Sequence, residues 1–230
     1  MHVEIWSDIA CPWCYVGKRR FEAALAAYEH RDEVQVTWRS FELDPSAPRE
    51  REHDGATQLA EKYGTSRDEA LAMQQRMTKT AARDGLTLRF DIARGGNTFD
   101  AHRLLHLAAA HGAQDALKER LMRAYLTEGE LIGDRAVLER LGLEVGLRED
   151  EVRDTLATDR FAAEVREDER TAASLGIHAV PFFVVDRAIG ASGAHPPDAL
   201  VELLRQARAA SPPIPVVAAG ETCGLDGSGC

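Results

Sequence analysis

Residues 9–15 read Ile9-Ala-Cys-Pro-Trp-Cys-Tyr15, and the chemistry assigned to this stretch decides how the rest of the chain is understood. Two cysteines separated by two residues can hold a metal, form a passive bridge or exchange disulfides with another molecule. The flanking sequence separates these readings. Val3-Glu-Ile-Trp-Ser7 is short, branched and aromatic, as strands are. Asp8 to Pro12 then turn the chain, and Val16, Phe21, Leu25 and Tyr28 recur at helical intervals, so a helix over residues 13–30 follows directly. Cys11 thus stands at a strand-to-helix junction. Pro12 in the first helical turn sacrifices no hydrogen bond, and the unpaired N–H groups and positive end of the helix favour a thiolate there. Cys11 is the expected attacking sulfur. Cys14, one turn on, is expected to be more buried and to resolve the mixed disulfide. Trp13 brings no charge, and is expected to shape or shield the surface around the sulfurs.

The alternatives fit less well. Structural zinc needs four ligands, and the only other cysteines, Cys223 and Cys230, have six residues between them at the far end of the chain, with His2, His178 and His195 as substitutes. Four cysteines in 230 residues are too few for a disulfide framework, so the core must be hydrophobic and a bridge is free to be chemical. Apolar residues at 44% and charged residues at 29% describe a globular chain. The net charge of -10 disfavours nucleic acid as a partner. Lys18, Arg19 and Arg20 form the one early basic cluster and are expected on a solvated helix face. No apolar run approaches the roughly 20 residues that span a bilayer, and the amino terminus has no basic lead before its short apolar run, so the expectation is a cytoplasmic protein without a membrane partner.

Val34 to Leu43 alternates at period two and reads as a second strand. From Glu50 to Leu156 the chain turns to Ala, Glu, Arg, Leu and Gln, with helices expected over 55–63, 66–83, 98–111, 115–127, 134–141 and 149–156. Ser66-Arg-Asp-Glu69, Thr98-Phe-Asp100 and Asp134 carry capping signals. A long helix over 159–175 stops at Gly176. Residues 181–185 and 188–191 read as two short strands joined by Asp186-Arg187, and residues 197–209 as a closing helix. The order β-α-β, helical block, α-β-β-α implies an α/β domain in two parts, 1–48 and 158–210, around a helical insertion at 49–157, followed by a tail at 211–230.

The strand, the CxxC and the helix start resemble the thioredoxin pattern of disulfide oxidoreductases. That pattern calls for a proline opening a later strand opposite the cysteines, and Val180-Pro181 occupies that place. More specifically, the chain resembles the DsbA-like superfamily, in which a large all-helical domain is inserted into a thioredoxin fold. Within it the likeness is to the FrnE-like branch, related to 2-hydroxychromene-2-carboxylate isomerases and kappa-class glutathione transferases. It rests on Trp6-Ser-Asp8 with Cys11-Pro-Trp-Cys-Tyr-Val-Gly-Lys18, Asn97 with Ala101-His102-Arg103-Leu104, Gly176-Ile177 with Val180-Pro-Phe-Phe183, and Ile189 with Gly193-Ala194, over residues 1–210.

The resemblance implies a thiol–disulfide oxidoreductase working through Cys11, Cys14 and Pro181 on protein, peptide or small-thiol substrates, and it is compatible with a homodimer that no residue specifies. The X-Pro bond at Val180-Pro181 is then cis, and the Val180 backbone pairs with bound peptide. Asn97 and His102 line the substrate cleft, with helix capping a competing use of Asn97. Glu4 is the candidate buried carboxylate that relays a proton below the cysteines, and Cys223 with Cys230 is an auxiliary redox pair. His102 and His106, one turn apart, lack the further ligands of a metal site. No fixed cofactor is implied. Glutathione enters as a co-substrate, or as the substrate of the alternative reading, a glutathione-dependent isomerase or transferase. In that reading a serine usually stands at the Cys11 position and no resolving thiol is needed. A third reading is a chaperone with incidental redox activity.

Overall fold

The computed structural model describes residues 1–210. Strand β1 (His2–Ser7) leads into helix α1 (Pro12–Ala27) and returns through a short 3-10 turn to β2 (Gln35–Ser40). Six helices follow: α2 (Gly55–Tyr63), α3 (Arg67–Arg83), α4 (Phe99–Ala110), α5 (Gln114–Leu126), α6 (Arg135–Glu144) and α7 (Glu149–Ala157). Then come α8 (Ala162–Ser174), β3 (Phe182–Val185), β4 (Ile189–Ser192) and α9 (Pro197–Ala210). The sheet order is β2-β1-β3-β4. β1 is parallel to β2 and antiparallel to β3, and β3 is antiparallel to β4. This is a mixed thioredoxin-like core carrying a large all-helical insertion. Cys223 and Cys230 lie outside the described residues.

The strand period assigns the two faces of the sheet. Val3 and Ile5 of β1, with Phe183 and Val185 of β3, pack against Phe21 and Ala24 of α1, Tyr28 just past its end, and Leu200, Leu204 and Ala207 of α9. The opposite face carries Trp6 and Val184, covered by Ala172 of α8 and by Ile177. Asp168 pins α8 to the sheet: its carbonyl accepts the Trp6 indole N–H at 2.9 Å, and its carboxylate accepts Arg39 at 3.0 Å and the Ser40 amide at 2.9 Å. The β3–β4 turn places both Asp186 (φ 49°) and Arg187 (φ 53°) in the left-handed region, as a two-residue primed hairpin turn requires.

A third cluster decides where the chemistry sits. Ile9, Cys11, Cys14, Tyr15 and Val16 belong to the core of the insertion, with Leu104, Leu121 and Met122 among their companions. The dithiol turn is thus a plug driven into the helical block. The basic cluster departs from the solvated face expected of it. Lys18 is 2% exposed, with its ammonium on Glu22, Asp115 at 3.2 Å and Glu119 at 3.3 Å, while Arg20 reaches Asp84 at 3.0 Å. The caps follow the expected chemistry at Ser66, which forms a reciprocal box with Glu69, and at Asp134. At α4 the cap is corrected: Thr98 makes no side-chain bond, and the Asn97 carbonyl accepts the Phe99 amide at 2.8 Å.

Candidate active site

Cys11 is the N-cap residue of α1, with Pro12 in the first turn and no acidic side chain there to offset the exposed amides. Both cysteines are free thiols, Cys11 at 6% exposure and Cys14 at 0%. The two sulfurs are driven apart in acidity. The Cys14 thiol hydrogen-bonds the Cys11 sulfur, and, against the penalty of burial, this bond and the Cys14 and Trp13 amides hold Cys11 below an ordinary thiol, with the Asp8 carboxylate opposing. Burial, followed by that same hydrogen bond to Cys11, pushes Cys14 well above the ordinary value. Cys11 is the more acidic of the two sulfurs and Cys14 the one that keeps its proton.

The Val180-Pro181 bond is cis, and the Cys11 Sγ lies 3.7 Å from the Val180 carbonyl oxygen. Pro181 packs directly against α1 at Gly17, where an added Cβ would stand 2.8 Å from Pro181 Cγ. Trp13 is 47% exposed beside the sulfur. The structure therefore brings Cys11, Cys14, Trp13, Val180 and Pro181 together.

His102, expected to line the substrate cleft, is instead fully buried on α4 beside Asp8. Its Nε2 lies 3.4 Å from the Asp8 carboxylate, and its Nδ1 has no partner among the described residues. Burial opposes ionisation of Asp8, yet His102, the Leu43 amide and Lys118 together keep it below the usual carboxylate range. Burial pushes His102 the other way, to the neutral form, against the pull of Asp8. The pair is a carboxylate accepting from a neutral imidazole. His106 turns instead to Asp168 at 3.1 Å and to Ser40. Among the described residues no group of three or more metal-ligating side chains forms, and no helix is long and apolar enough to cross a membrane.

Two further candidates are engaged within the chain. Asn97 uses both ends of its amide within the chain, on Phe99 and on the Ala47 carbonyl at 3.3 Å, rather than presenting it to a cleft. Glu4 is buried at 1% exposure, but its carboxylate is gripped by Arg39 at 2.6 Å and Arg187 at 2.9 Å. Burial resists its charge and the two guanidinium groups overcome it, so Glu4 stays below the usual glutamate range. A carboxylate held ionised by two arginines is a poor proton carrier. Glu4→Gln is expected to leave disulfide exchange at the wild-type rate while lowering stability at neutral pH by about 1–2 kcal/mol. Since the folded pKa is depressed, this stabilisation is present above the unfolded value of about 4.3 and disappears as pH falls through the folded one. Urea unfolding of the two proteins should therefore converge in acid.

The sequence reading passed over Lys118. It sits on α5 one turn before Leu121 and Met122, on the apolar stripe that enters the insertion core, and it is 0% exposed. A lysine on such a stripe was the available signal.

A family profile for DSBA-like thioredoxin domains matches residues 2–205. A probable DsbA oxidoreductase from Streptomyces coelicolor superposes with a TM-score of 0.91 at 47% identity, over 99% of this chain and 97% of that one. The cytosolic disulfide reductase DsbM from Pseudomonas aeruginosa gives a TM-score of 0.64 at 19% identity, over 91% of this chain and all of that one, and it has also been solved with GSH. The Bacillus subtilis (strain 168) protein YwbO is 27% identical over 197 residues, 84% of this chain and 92% of its own length. With a CxxC dithiol at the head of α1 and the profile running through nearly every described residue, the chain belongs to the DSBA-like thioredoxin domain family.

Proposed function

We propose that this thiol–disulfide oxidoreductase is of the FrnE-like branch and acts on cysteines in extended peptide or protein segments, with Cys11 attacking and Cys14 resolving. One observation carries the reading: the more acidic thiol lies 3.7 Å from the Val180 carbonyl. A peptide lying along that backbone brings its own sulfur to Cys11, and Trp13 offers it an apolar surface. Attack by the Cys11 thiolate breaks the partner disulfide and releases one partner thiolate. Displacement by Cys14 then closes Cys11–Cys14 and releases the other, leaving the partner reduced by two electrons. The reverse sequence inserts a disulfide. Glutathione serves in this reading as a small-thiol co-substrate that resets the pair, following the P. aeruginosa reductase solved with GSH. The setting we assign is cytoplasmic, after that cytosolic relative, where disulfides are transient and catalytic.

The test compares a peptide disulfide with a small aromatic disulfide reagent. Trp13→Ala should slow reaction with the peptide about tenfold, as loss of an aromatic anchor does, and leave the small reagent nearly untouched. An equal loss on both would show that Trp13 tunes the sulfur and not the substrate, and would remove peptide docking from the proposal.

A further inference from the structure

Lys118 poses a problem that the exchange chemistry resolves. Its side chain is wholly buried, and a buried ammonium is costly unless paired. Yet among the described residues no carboxylate oxygen lies within ion-pair distance of it, and its one hydrogen bond is to the Ser7 carbonyl at 3.1 Å. The remaining compensation comes from the Trp38 ring at 5.7 Å and from the acidic groups Cys14, Asp8 and Cys11, of which Cys14 counts only once it has lost its proton. Lys18, also near the Trp38 ring, opposes, its own charge met by Glu22, Asp115 and Glu119. His102 faces the same enclosure through Asp8. Ser7 joins the parts: its carbonyl accepts from the Lys118 ammonium, and its buried hydroxyl, which has no other partner among the described residues, acts to lower the Cys14 thiol.

We propose that Lys118 holds the proton of the buried sulfur: it takes the Cys14 proton when Cys14 displaces a partner from Cys11 and returns it in the reverse direction. This rests on the reading of Cys11 as attacking and Cys14 as resolving. In the mixed disulfide Cys11 carries no charge, so one of the anions that keep Lys118 protonated is gone. Lys118 gives its proton to the partner thiolate released on loading or to water and, now neutral, accepts the Cys14 proton, leaving a thiolate beside an ammonium. The Cys14 sulfur forms its bond to Cys11 as the Cys11–partner bond breaks, and the partner departs with the electron pair. The ammonium afterwards surrenders its proton to the released thiolate or to water. The acidity of Lys118 suits the task, since burial has already brought it down to about 8 against the pull of the acidic groups around it. Glu4, the carboxylate expected in this role, is committed to Arg39 and Arg187.

The experiment uses the full chain with Cys223→Ser and Cys230→Ser, so that only the CxxC sulfurs react. Cys11 is loaded with thionitrobenzoate from its aromatic disulfide, and release of the coloured thiolate is followed by stopped flow from about pH 6 to about pH 10. With Lys118 intact, release should rise along a limb at or below about pH 8. Lys118→Arg keeps the charge but cannot deprotonate in this range. It should load at a rate within about threefold of the parent, lose the limb, and release about a hundredfold more slowly near neutrality. Lys118→Met should lose the limb too and also load more slowly, because the cation is gone. Release from Lys118→Arg at the parent rate with the limb retained would overturn the assignment and pass the proton to Asp8 and His102. Should Lys118→Met not fold, the arginine variant and the parent profile still decide, and a parent profile without a limb overturns the proposal by itself. Failure of Cys11 to load at all would bring down the exchange reading and this step with it.

Discussion

Cys11→Ser leaves a folded protein whose disulfide exchange falls to the uncatalysed background, and Cys14→Ser leaves one that reacts once and stops. The asymmetry follows from where the two sulfurs sit. Cys11 is the more acidic sulfur at the open end of α1, and a hydroxyl in its place neither ionises nor forms a disulfide, so no covalent intermediate is made. The fold should survive, because the new hydroxyl has the Val180 carbonyl as an acceptor; the change in stability should be about 1 kcal/mol. Cys14 is fully buried, and its removal leaves Cys11 able to attack but not to be relieved. The expected product is a stable mixed disulfide on Cys11, seen by mass spectrometry as a single adduct that dithiothreitol removes. Cys14→Ser should make Cys11 a stronger acid, because a serine hydroxyl donates to a thiolate more strongly than a thiol does. Alkylation rates against pH would show that shift. Full turnover by Cys14→Ser with peptide disulfides would sink the two-sulfur cycle and favour single-thiol chemistry driven by glutathione.

What the chain discloses in advance is what short-range physics fixes. β1, the CxxC and α1 adjoin in sequence, so their strand pattern, turn and helical spacing are visible at once. The Ser66–Glu69 box and the Asp134 cap are likewise local. The helix expected from residue 159 begins only at Ala162, because Phe161 ahead of it adopts φ 63°, a conformation for which a phenylalanine gives no warning. The charged residues defeated inspection for a different reason. Whether a lysine is buried depends on partners brought from afar: Lys18 meets Asp115 and Glu119 of α5, and Glu4 meets Arg39 and Arg187 from β2 and the β3–β4 turn. Lys118 and Ser7, 111 residues apart in sequence, meet only once the insertion closes on the sheet. The candidate site was thus legible in its sulfurs and its proline, and illegible in the charges that set their acidity.

Gly17→Val is the backbone substitution that most directly tests how the two halves of the site are held together, and it should damage both fold and exchange. A glycine inside a helix costs about 1 kcal/mol relative to alanine, so its presence in the middle of α1 requires a reason. The reason is the approach of Pro181: a Cβ at position 17 would stand 2.8 Å from Pro181 Cγ, 3.4 Å from its Cβ and 3.7 Å from the Ala194 Cβ. A pyrrolidine ring cannot swing aside as the end of a long side chain does. Gly17→Ala should gain helix propensity and lose it again to this clash, for little net change. Valine adds two further methyl groups to the same gap, and overpacking of that kind destabilises by about 1–3 kcal/mol. A shift of the urea midpoint with an unchanged slope would report it. Relief comes only by moving the Val180-Pro181 segment away from α1, which carries the Val180 carbonyl away from Cys11. Exchange with a peptide disulfide should therefore fall further than reaction of Cys11 with a small alkylating agent, since the agent needs the thiolate alone and the peptide needs the backbone beside it. If Gly17→Val unfolds at the wild-type midpoint and exchanges peptides at the wild-type rate, the packing of Pro181 on α1 does not set the position of the Val180 carbonyl.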